Sequence, residues 1–349
     1  MDVLSSAGHL EAERAWLAGL PKVELHLHLE GAIPLDALWA LIEKYGGDPQ
    51  APDRAALRRR FDYRDFPHFI DTWVWKNGFL RSYEDFAFIA ESVARDLAAQ
   101  HIVHAEVFFS PGDFARHGLG TQRLAEAIRA GLDRVPQVGV SLVADLVRDF
   151  GPVRGGRVLE EVAEVKDQGI VGIGIGGSEH EHPPEPYAAV YARARNLGFR
   201  TSAHAGEAAG AQSVWGAIRA LEVDRIGHGT RAVEDPDLVN HLARARIPVE
   251  LCPTSNLRTA VVPTLADHPA RRYFEAGIPI SVSSDDPKMF NTSVLDELLA
   301  LRQHLGFTRP EILTVLRQTI DACWLDAPGR ATLHSQLERA IRALPHHRP

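Results

Sequence analysis

The sequence predicts an α/β protein with a (β/α)8 TIM barrel, formed by one domain over residues 1–349. Eight short apolar runs end in polar or glycine-rich residues, and amphipathic helical patterns follow them. Eight units of a strand and a helix are enough to close a parallel barrel, and the length suits a barrel with insertions. The alternative is a doubly wound open sheet, which normally has a glycine-rich phosphate loop after its first strand. The sequence His-Leu-Glu-Gly at 28–31 is no such loop, so the barrel is favoured.

The predicted elements alternate along the chain without a linker or a low-complexity tract that would mark a domain boundary. Several helical patterns end in glycine, which is typical of helix termination. The predicted strands cover residues 22–29, 103–110, 138–146, 170–177, 200–207, 224–231, 247–256 and 278–287, with helical patterns at 124–135, 158–169, 187–198 and 236–247 among those between them.

One connection is unusually long, because roughly 75 residues separate the first predicted strand from the second. We expect a helical insertion there, at about residues 35–100. Its segment 66–86 is rich in aromatic residues. The segment either adds helical packing or forms a lid over the end of the first strand, and one segment can do both.

Composition narrows the class of partner. The chain has 38 Lys and Arg against 46 Asp and Glu, a formal charge of −8, so it has no broad attraction for nucleic acid or anionic membranes. The first twenty residues contain Asp2, Glu11 and Glu13 and no apolar signal-peptide core, and no window is apolar enough to span a membrane. Two cysteines cannot form a disulfide framework or a Cys-rich zinc site. We therefore expect a cytoplasmic protein that binds a small molecule; the oligomeric state stays open.

Histidine is the unusual residue, with 17 copies. His26 and His28 lie two apart in the first predicted strand, so both imidazoles face the same side while the leucines face the other. Two imidazoles at one strand end suit a divalent metal. The pattern is weak alone, because this composition yields roughly one His-x-His pair by chance. The second pair, in His180-Glu181-His182, is expected to be a bystander.

Position separates the first pair from the second. His204, Glu207, His228, Asp285 and Asp286 all lie at the C-terminal ends of other predicted strands, which converge on one face of a barrel. Taken singly, the two aspartates could be a helix cap before a proline, and His228 could be a turn residue. Coincidence at four strand ends is much less plausible.

Three imidazoles and an aspartate suit Zn²⁺. The fourth predicted strand, IVGIGIGG, has no lysine or glutamate to bridge two metals, so we expect one.

At these residues the chain resembles the adenosine deaminase family of the amidohydrolase superfamily. The matching motifs occur in the family's order between about residues 20 and 335: KVELHLHLEG (22–31), SAHAGE (202–207), RIGHGT (225–230), CPTSN (252–256) and SSDDP (283–287).

The resemblance implies one Zn²⁺ and an activated water that attacks C6 of a 6-aminopurine. Glu207 would protonate N1, which requires a carboxyl whose pKa is raised in a dry pocket. His228 would orient the water or take its proton, a task that Asp285 can share. The implied metal ligands are His26, His28, His204 and Asp285.

The resemblance also implies contacts to the purine. Asp286 would bind N7, and the backbone at Gly177 would bind N3. Ser178, Glu30 and His28 are further candidates for substrate contact.

Two positions depart from the adenosine-specific pattern. Glu30 stands where adenosine deaminases typically have an aspartate near the ribose, and Gly177-Ser178-Glu179 stands where they have Gly-Asp-Glu. Ser-Glu with a downstream Pro-Pro is similar to the adenine deaminase branch, although that branch usually has Ser-Ser-Glu.

The favoured hypothesis is deamination of a purine nucleoside, either adenosine or one with a larger substituent such as 6-aminodeoxyfutalosine, because segment 66–86 could cover a bulky group. Deamination of free adenine is the alternative. More distant alternatives are an amidohydrolase that cleaves a cyclic amide or ester, and a non-catalytic barrel with structural histidines. The chain has no Cys-x-x-Cys, which excludes the cytidine deaminase type.

Overall fold

The computed structural model describes residues 3–63 and 66–344. Eight parallel strands form one sheet and pair in sequence order, so the predicted TIM barrel is confirmed. The strands are β1 (Lys22–His28), β2 (Ile102–Phe109), β3 (Gly139–Asp145), β4 (Ile170–Gly174), β5 (Arg200–Ala205), β6 (Arg225–His228), β7 (Val249–Leu251) and β8 (Ile280–Val282).

The barrel closes where the segment after β8 meets β1. The backbone N–H of His28 donates to the carbonyl of Asp285 at 3.0 Å, and the N–H of Asp285 donates to the carbonyl of His26 at 3.0 Å. The hydroxyl of Ser283 accepts from the N–H groups of Leu25 and His26. The barrel's own hydrogen bonds therefore fix three of the predicted metal ligands.

Helices cover the barrel and lie between its strands. The α-helices are α1 (Val3–Gly19), α2 (Leu35–Lys44), α3 (Arg54–Arg59), α4 (Phe66–Asn77), α5 (Tyr83–Ala99), α6 (Pro111–Phe114), α7 (Thr121–Leu132), α8 (Gly151–Ala163), α9 (Ala188–Asn196), α10 (Ala211–Gly216), α11 (Pro236–Ala245), α12 (Pro253–Arg258), α13 (Ala270–Glu275), α14 (Pro287–Phe290), α15 (Val294–His304), α16 (Arg309–Ala322) and α17 (Ala327–Ala343). Shorter 3-10 or π turns lie at Ala115–His117, Arg148–Phe150, Lys166–Gln168, Glu185–Tyr187, Ala217–Leu221, Thr230–Glu234 and Leu265–Asp267.

Several strands are shorter than the sequence predicts, and the last two differ most. The predicted strands at 247–256 and 278–287 shrink to β7 and β8, because α12 begins at Pro253 and α14 begins at Pro287. Proline suits the first turn of a helix, where its missing N–H breaks no intrahelical bond. The polar ends of these two motifs are therefore helix starts.

Four helices, α2 to α5, lie between β1 and β2. α5 begins at a capping box, in which the Ser82 hydroxyl accepts from the Asp85 N–H and the Asp85 carboxylate accepts from the Ser82 N–H. The Phe69 ring on α4 stacks on Phe290 of α14, with ring centroids 5.1 Å apart. α4 thus lies beside the C-terminal ends of the strands; its movement as a lid stays a prediction.

The two faces of the sheet bury different residues. Leu25 and Leu27 of β1 belong to the apolar core between barrel and helices. Inside the barrel, Arg225 pairs with Glu106 at 2.6 Å and with Glu250 at 2.5 Å. This buried ion-pair layer lies beneath the predicted site. Among the helices of the described residues, none combines the length and apolarity needed to cross a membrane.

Candidate active site

The four predicted metal ligands converge at the C-terminal end of the barrel. The Nε2 atom of His204 lies 3.1 Å from that of His26 and 3.3 Å from that of His28. Asp285 Oδ1 lies 3.6 Å from the Nε2 of His26 and 3.4 Å from that of His28. All four side chains are buried, and one ligand atom from each lies within 4.8 Å of the others.

This donor set fits zinc. Burial lowers the pKa of His28 to about 4 and lowers that of His204 well below its ordinary value, so both are neutral, the form that binds metal. Three imidazole nitrogens and one carboxylate oxygen are ligands that zinc prefers, and a shared cation would stabilise nitrogens that face one another in a buried space.

Glu250 of β7 supports the cluster from below. Its Oε2 lies 2.7 Å from Nδ1 of His26, and its Oε1 accepts from Arg225. Burial alone would raise the pKa of Glu250, but Arg225 and His26 lower it below its ordinary value, so the group is a carboxylate. It therefore accepts the Nδ1–H of His26 and leaves the Nε2 lone pair for the cluster.

Two residues of the site have unusual backbone conformations. His228 has a φ of +60° and Asp285 a φ of +62°, in the left-handed region that few non-glycine residues occupy. At Asp285 the two backbone bonds to β1 hold this conformation. Such strain is typical of functional positions whose surroundings over-determine them.

Glu207 and His228 lie next to the cluster. The His228 Nε2 is 3.5 Å from Glu207 Oε2 and 4.0 Å from Asp285 Oδ2. Burial raises the pKa of Glu207 above its ordinary value. A raised pKa is what a proton-donating carboxyl requires.

A hydrogen-bond chain assigns the proton of His228. The Ala270 N–H donates to Nδ1 of His268, and burial lowers the pKa of His268 to about 3, so its only N–H is at Nε2. That N–H donates to Oδ1 of Asn256, whose Nδ2 faces Nδ1 of His228 at 3.2 Å. Neutral His228 therefore carries its proton on Nε2, which points toward Glu207 and Asp285.

A carboxylate holds the backbone around Glu207. Glu179, buried after β4, accepts from four consecutive N–H groups, those of Gly206, Glu207, Ala208 and Ala209, at 2.6–3.0 Å. These bonds fix the backbone of Glu207 relative to β5, and so fix the point from which its side chain extends.

A cavity of about 690 Å³ opens above these groups. Its lining includes an apolar wall of Phe69, Trp73 and Phe290, together with the carboxylates of Asp145 and Asp149. The lining contains eight of the predicted site residues: His28, Gly177, Ser178, His204, Glu207, His228, Asp285 and Asp286.

The remaining predicted residues lie outside the lining. His26 belongs to the cluster but is fully buried. Glu30 is also buried, accepts from the Ser110 N–H at 3.1 Å, and has its pKa raised to about 7 by burial. The expected bystander His180 does line the outer cavity, but it is absent from the metal cluster of the described residues.

Sequence reasoning missed several supporting residues, namely Asp145, Arg148, Asp149, Glu179, Glu250, Asn256 and His268. All of them except His268 lie within a predicted strand or within three residues of its end, and strand-end position was the available signal for Asp145 and Glu179. Their partners are distant in sequence, so the bonds themselves could not be predicted.

Comparison with known proteins agrees with this geometry. The family model for adenosine deaminase matches residues 21–340. The aminodeoxyfutalosine deaminase of Streptomyces coelicolor is 33% identical over 330 residues, covering 93% of this chain and 85% of that protein. The adenine deaminase of Albidiferax ferrireducens is 36% identical over 313 residues, covering 89% of this chain and 90% of that protein.

Solved structures are similar over nearly the whole chain. The adenine deaminase of Arthrobacter aurescens has a TM-score of 0.86 and 30% identity, and the alignment covers 93% of this chain and 100% of that one. An amidohydrolase of Burkholderia ambifaria with bound zinc has a TM-score of 0.85 and 28% identity, covering 94% and 93%.

Proposed function

The chain belongs to the adenosine deaminase family of zinc-dependent hydrolytic deaminases, and we propose that it removes the 6-amino group of a purine nucleoside with a larger substituent. One observation supports this reaction above all: Glu207 lies beside the cluster of His26, His28, His204 and Asp285. The matched family favours deamination over cleavage of a cyclic amide or ester.

In this proposal the cluster holds one Zn²⁺. The bound ion would supply Lewis acidity and a water whose pKa is lowered toward neutrality. The barrel supplies rigid support, since β1 and the segment after β8 are joined by backbone bonds at the ligands themselves.

Glu207 is the proposed acid that protonates N1 of the purine. Burial raises the pKa of Glu207, so it stays protonated at higher pH than an ordinary glutamate. The bonds from Glu179 to the backbone around Glu207 hold it in place. His228 presents its Nε2–H beside Glu207, where it can orient the attacking water.

Asp286 is the proposed partner of purine N7. N7 is a hydrogen-bond acceptor, so its partner must donate a proton. Burial, together with the neighbouring Asp285, raises the pKa of Asp286 well above its ordinary value. A neutral carboxyl of this kind can donate to N7.

The cavity favours a nucleoside over the free base. Beyond the cluster, Phe69, Trp73 and Phe290 form an apolar wall, and the carboxyl group of Asp113 lines the same space. Carboxylates accept bonds from sugar hydroxyls, and an apolar wall suits a bulky substituent. Bare adenine would leave both unused.

A substrate panel tests the proposal. Ammonia release should be measured with 6-aminodeoxyfutalosine, adenosine, deoxyadenosine and adenine, and compared as kcat/KM. We expect 6-aminodeoxyfutalosine first and adenine last. A preference for adenine would establish the alternative, an adenine deaminase, and no release from any of the four would overturn the proposed reaction.

A variant on the apolar wall sharpens the panel. Trp73→Ala should lower kcat/KM for 6-aminodeoxyfutalosine more than for adenosine, because only the larger substrate reaches the wall. Val74→Ala, on the same helix and half exposed, should change both equally little. Equal losses for both substrates in Trp73→Ala would contradict the assignment of this wall.

A further inference from the structure

The segment that ends β3 contacts the loop that follows β4. Asp145 Oδ1 accepts from the Gly176 N–H at 2.8 Å. Asp149 accepts twice from Ser178, from its N–H at 2.9 Å and from its hydroxyl at 2.5 Å. Two carboxylates from one segment therefore bind the first and third residues of the three-residue stretch Gly176–Ser178.

The amide between these two is left free. Within residues 3–63 and 66–344, no acceptor lies on the N–H of Gly177, although both neighbouring N–H groups are bound. Gly177 also lines the cavity. An amide donor at a cavity wall, with its neighbours held, is arranged to meet an acceptor on a ligand.

The conformation of the loop depends on Asp149. Gly177 has a φ of +102°, and a Cβ atom placed on it would lie 2.0 Å from Asp149 Oδ2. Only glycine allows this approach. The β3 segment is itself constrained: Val147, which lines the cavity, has a φ of +49°, and its N–H donates to Asp145. A β-branched residue in that region persists only where neighbours hold it.

Arg148 ties the same segment to the metal ligands. It is fully buried, and its guanidinium donates to the carbonyl of His204 at 2.5 Å and to that of His182 at 2.7 Å. The Arg148 N–H donates to the carbonyl of Gly176. The β3 segment thereby sets the loop at a fixed position relative to β5 and its ligand.

We propose that Asp145 and Asp149 are positioning residues that fix the Gly177 N–H toward N3 of the bound purine. They do not touch the reacting atoms. They act through the backbone of Gly176–Ser178, and they determine how strongly the enzyme binds a ring with an acceptor at that position. The inference rests on the proposed function, since it presumes a purine whose C6 faces the metal cluster.

The test removes Asp149 and N3 in turn. Asp149→Ala should be compared with the unaltered enzyme on adenosine and on 3-deazaadenosine, in which carbon replaces N3. The readout is kcat/KM, or the competitive inhibition constant where turnover is too slow. We expect Asp149→Ala to lower kcat/KM for adenosine about tenfold, which corresponds to the loss of one hydrogen bond. The kcat/KM or inhibition constant of 3-deazaadenosine should stay nearly unchanged.

Two control variants separate positioning from general damage. Asp149→Asn should retain most of the kcat/KM for adenosine. The amide oxygen of the asparagine can accept from the Ser178 N–H, and its NH₂ group can donate to the Ser178 hydroxyl. Asp113→Ala removes another carboxyl group that lines the cavity but does not contact Gly176–Ser178. Any loss in kcat/KM or in the inhibition constant should therefore be equal for adenosine and 3-deazaadenosine.

The outcomes are distinguishable. Equal losses on both ligands in Asp149→Ala would overturn the positioning role while leaving the deaminase assignment intact. An unaltered enzyme that binds both ligands equally well would also overturn it, because N3 would then have no partner. Failure of the unaltered enzyme on every aminopurine would instead overturn the proposed function.

Discussion

The two sides of the cavity floor are built by different means. The metal side, formed by His26, His28, His204, His228 and Asp285, consists of buried side chains on strand ends. The loop side, formed by Asp145–Asp149 and Gly176–Ser178, presents backbone amides, and Gly177 and Asp149 are exposed. The metal side brings titratable side chains together in a buried space, whereas the loop side presents backbone hydrogen-bond donors at the exposed edge of the cavity.

This difference fits what we propose that each side binds. A divalent ion requires several donors held at once, so each ligand needs a support such as the bond from Glu250 to His26. The edge of a purine requires only single donors, which a backbone provides without a side chain. We therefore expect changes on the metal side to affect catalysis far more than changes on the loop side.

The largest effect should follow removal of the metal. Dialysis against a chelator should abolish ammonia release. Adding Zn²⁺ should restore it, because the buried donor atoms of the cluster again surround a cation. The thermal midpoint should rise on adding zinc, by the equivalent of about 2.7 kcal/mol at a concentration 100 times the dissociation constant. Ammonia assays and thermal denaturation check both.

Magnesium is the control for that experiment. It prefers oxygen ligands in an octahedral arrangement and should not restore activity at a site with three imidazoles. Full activity in metal-free protein would contradict the role of the metal side.

The next effect concerns proton transfer. Glu207→Gln should lower kcat by between about 100-fold and 10,000-fold, the usual contribution of a positioned acid, while zinc stays bound. Because burial raises the pKa of Glu207, the activity of the unaltered enzyme should fall as pH rises through that pKa, and the variant should lose this limb. Steady-state kinetics against pH and zinc analysis measure the two.

Glu181→Gln is a suitable control, because Glu181 is an exposed glutamate whose side chain pairs only loosely with His180. It should retain full activity. Normal turnover in Glu207→Gln would exclude Glu207 as the acid.

A smaller effect should come from the support beneath the metal. Glu250→Gln should lower zinc affinity about 10- to 100-fold, because an amide is a weaker partner for the Nδ1–H of His26 than a carboxylate. Zinc titration against a competing chelator measures it. Glu106 is the other carboxylate that pairs with Arg225, and it does not contact His26. The zinc affinity of Glu106→Gln should therefore equal that of the unaltered enzyme. Equal losses in the two variants would show that the ion-pair layer acts on the cluster as a whole.

The convergence of the residues on the metal side could be predicted from the sequence because its signals are local. His26 and His28 share one strand face, and the ends of parallel strands converge in a barrel, so position along the chain was enough. The TIM barrel followed from the same alternation of strand and helix. The predicted strand lengths were less accurate: β4 and β6 are shorter than predicted, and β7 and β8 are much shorter, because Pro253 and Pro287 start helices that the apolar pattern did not show.

The supports and the loop side could not be predicted in this way. The bond between Glu250 and His26 joins residues 224 positions apart, and the bonds of Asp149 depend on a left-handed Gly177. Such contacts depend on barrel register and loop conformation, neither of which has a period in the sequence. For Glu30 the motif suggests substrate contact, which stays a prediction; its side chain is buried and accepts from the Ser110 N–H.

The smallest effect should appear at Gly31, in the turn after β1 and beside Asp286, the proposed partner of purine N7. A Cβ atom on Gly31 would lie 1.7 Å from Asp286 Oδ1, so Gly31→Ala must displace that carboxyl. Asp286 directly follows Asp285, a proposed metal ligand, and the backbone bonds of Asp285 to β1 should hold Asp285 in place. We expect kcat/KM to fall roughly tenfold, or ~1.4 kcal/mol, through one lost hydrogen bond, while zinc affinity is retained. Gly156→Ala, which meets only an ordinary contact with Val190, is the control and should leave kinetics unchanged. Loss of zinc in Gly31→Ala would show instead that Asp285 and Asp286 move together, and that the metal side extends into the contacts that bind the purine.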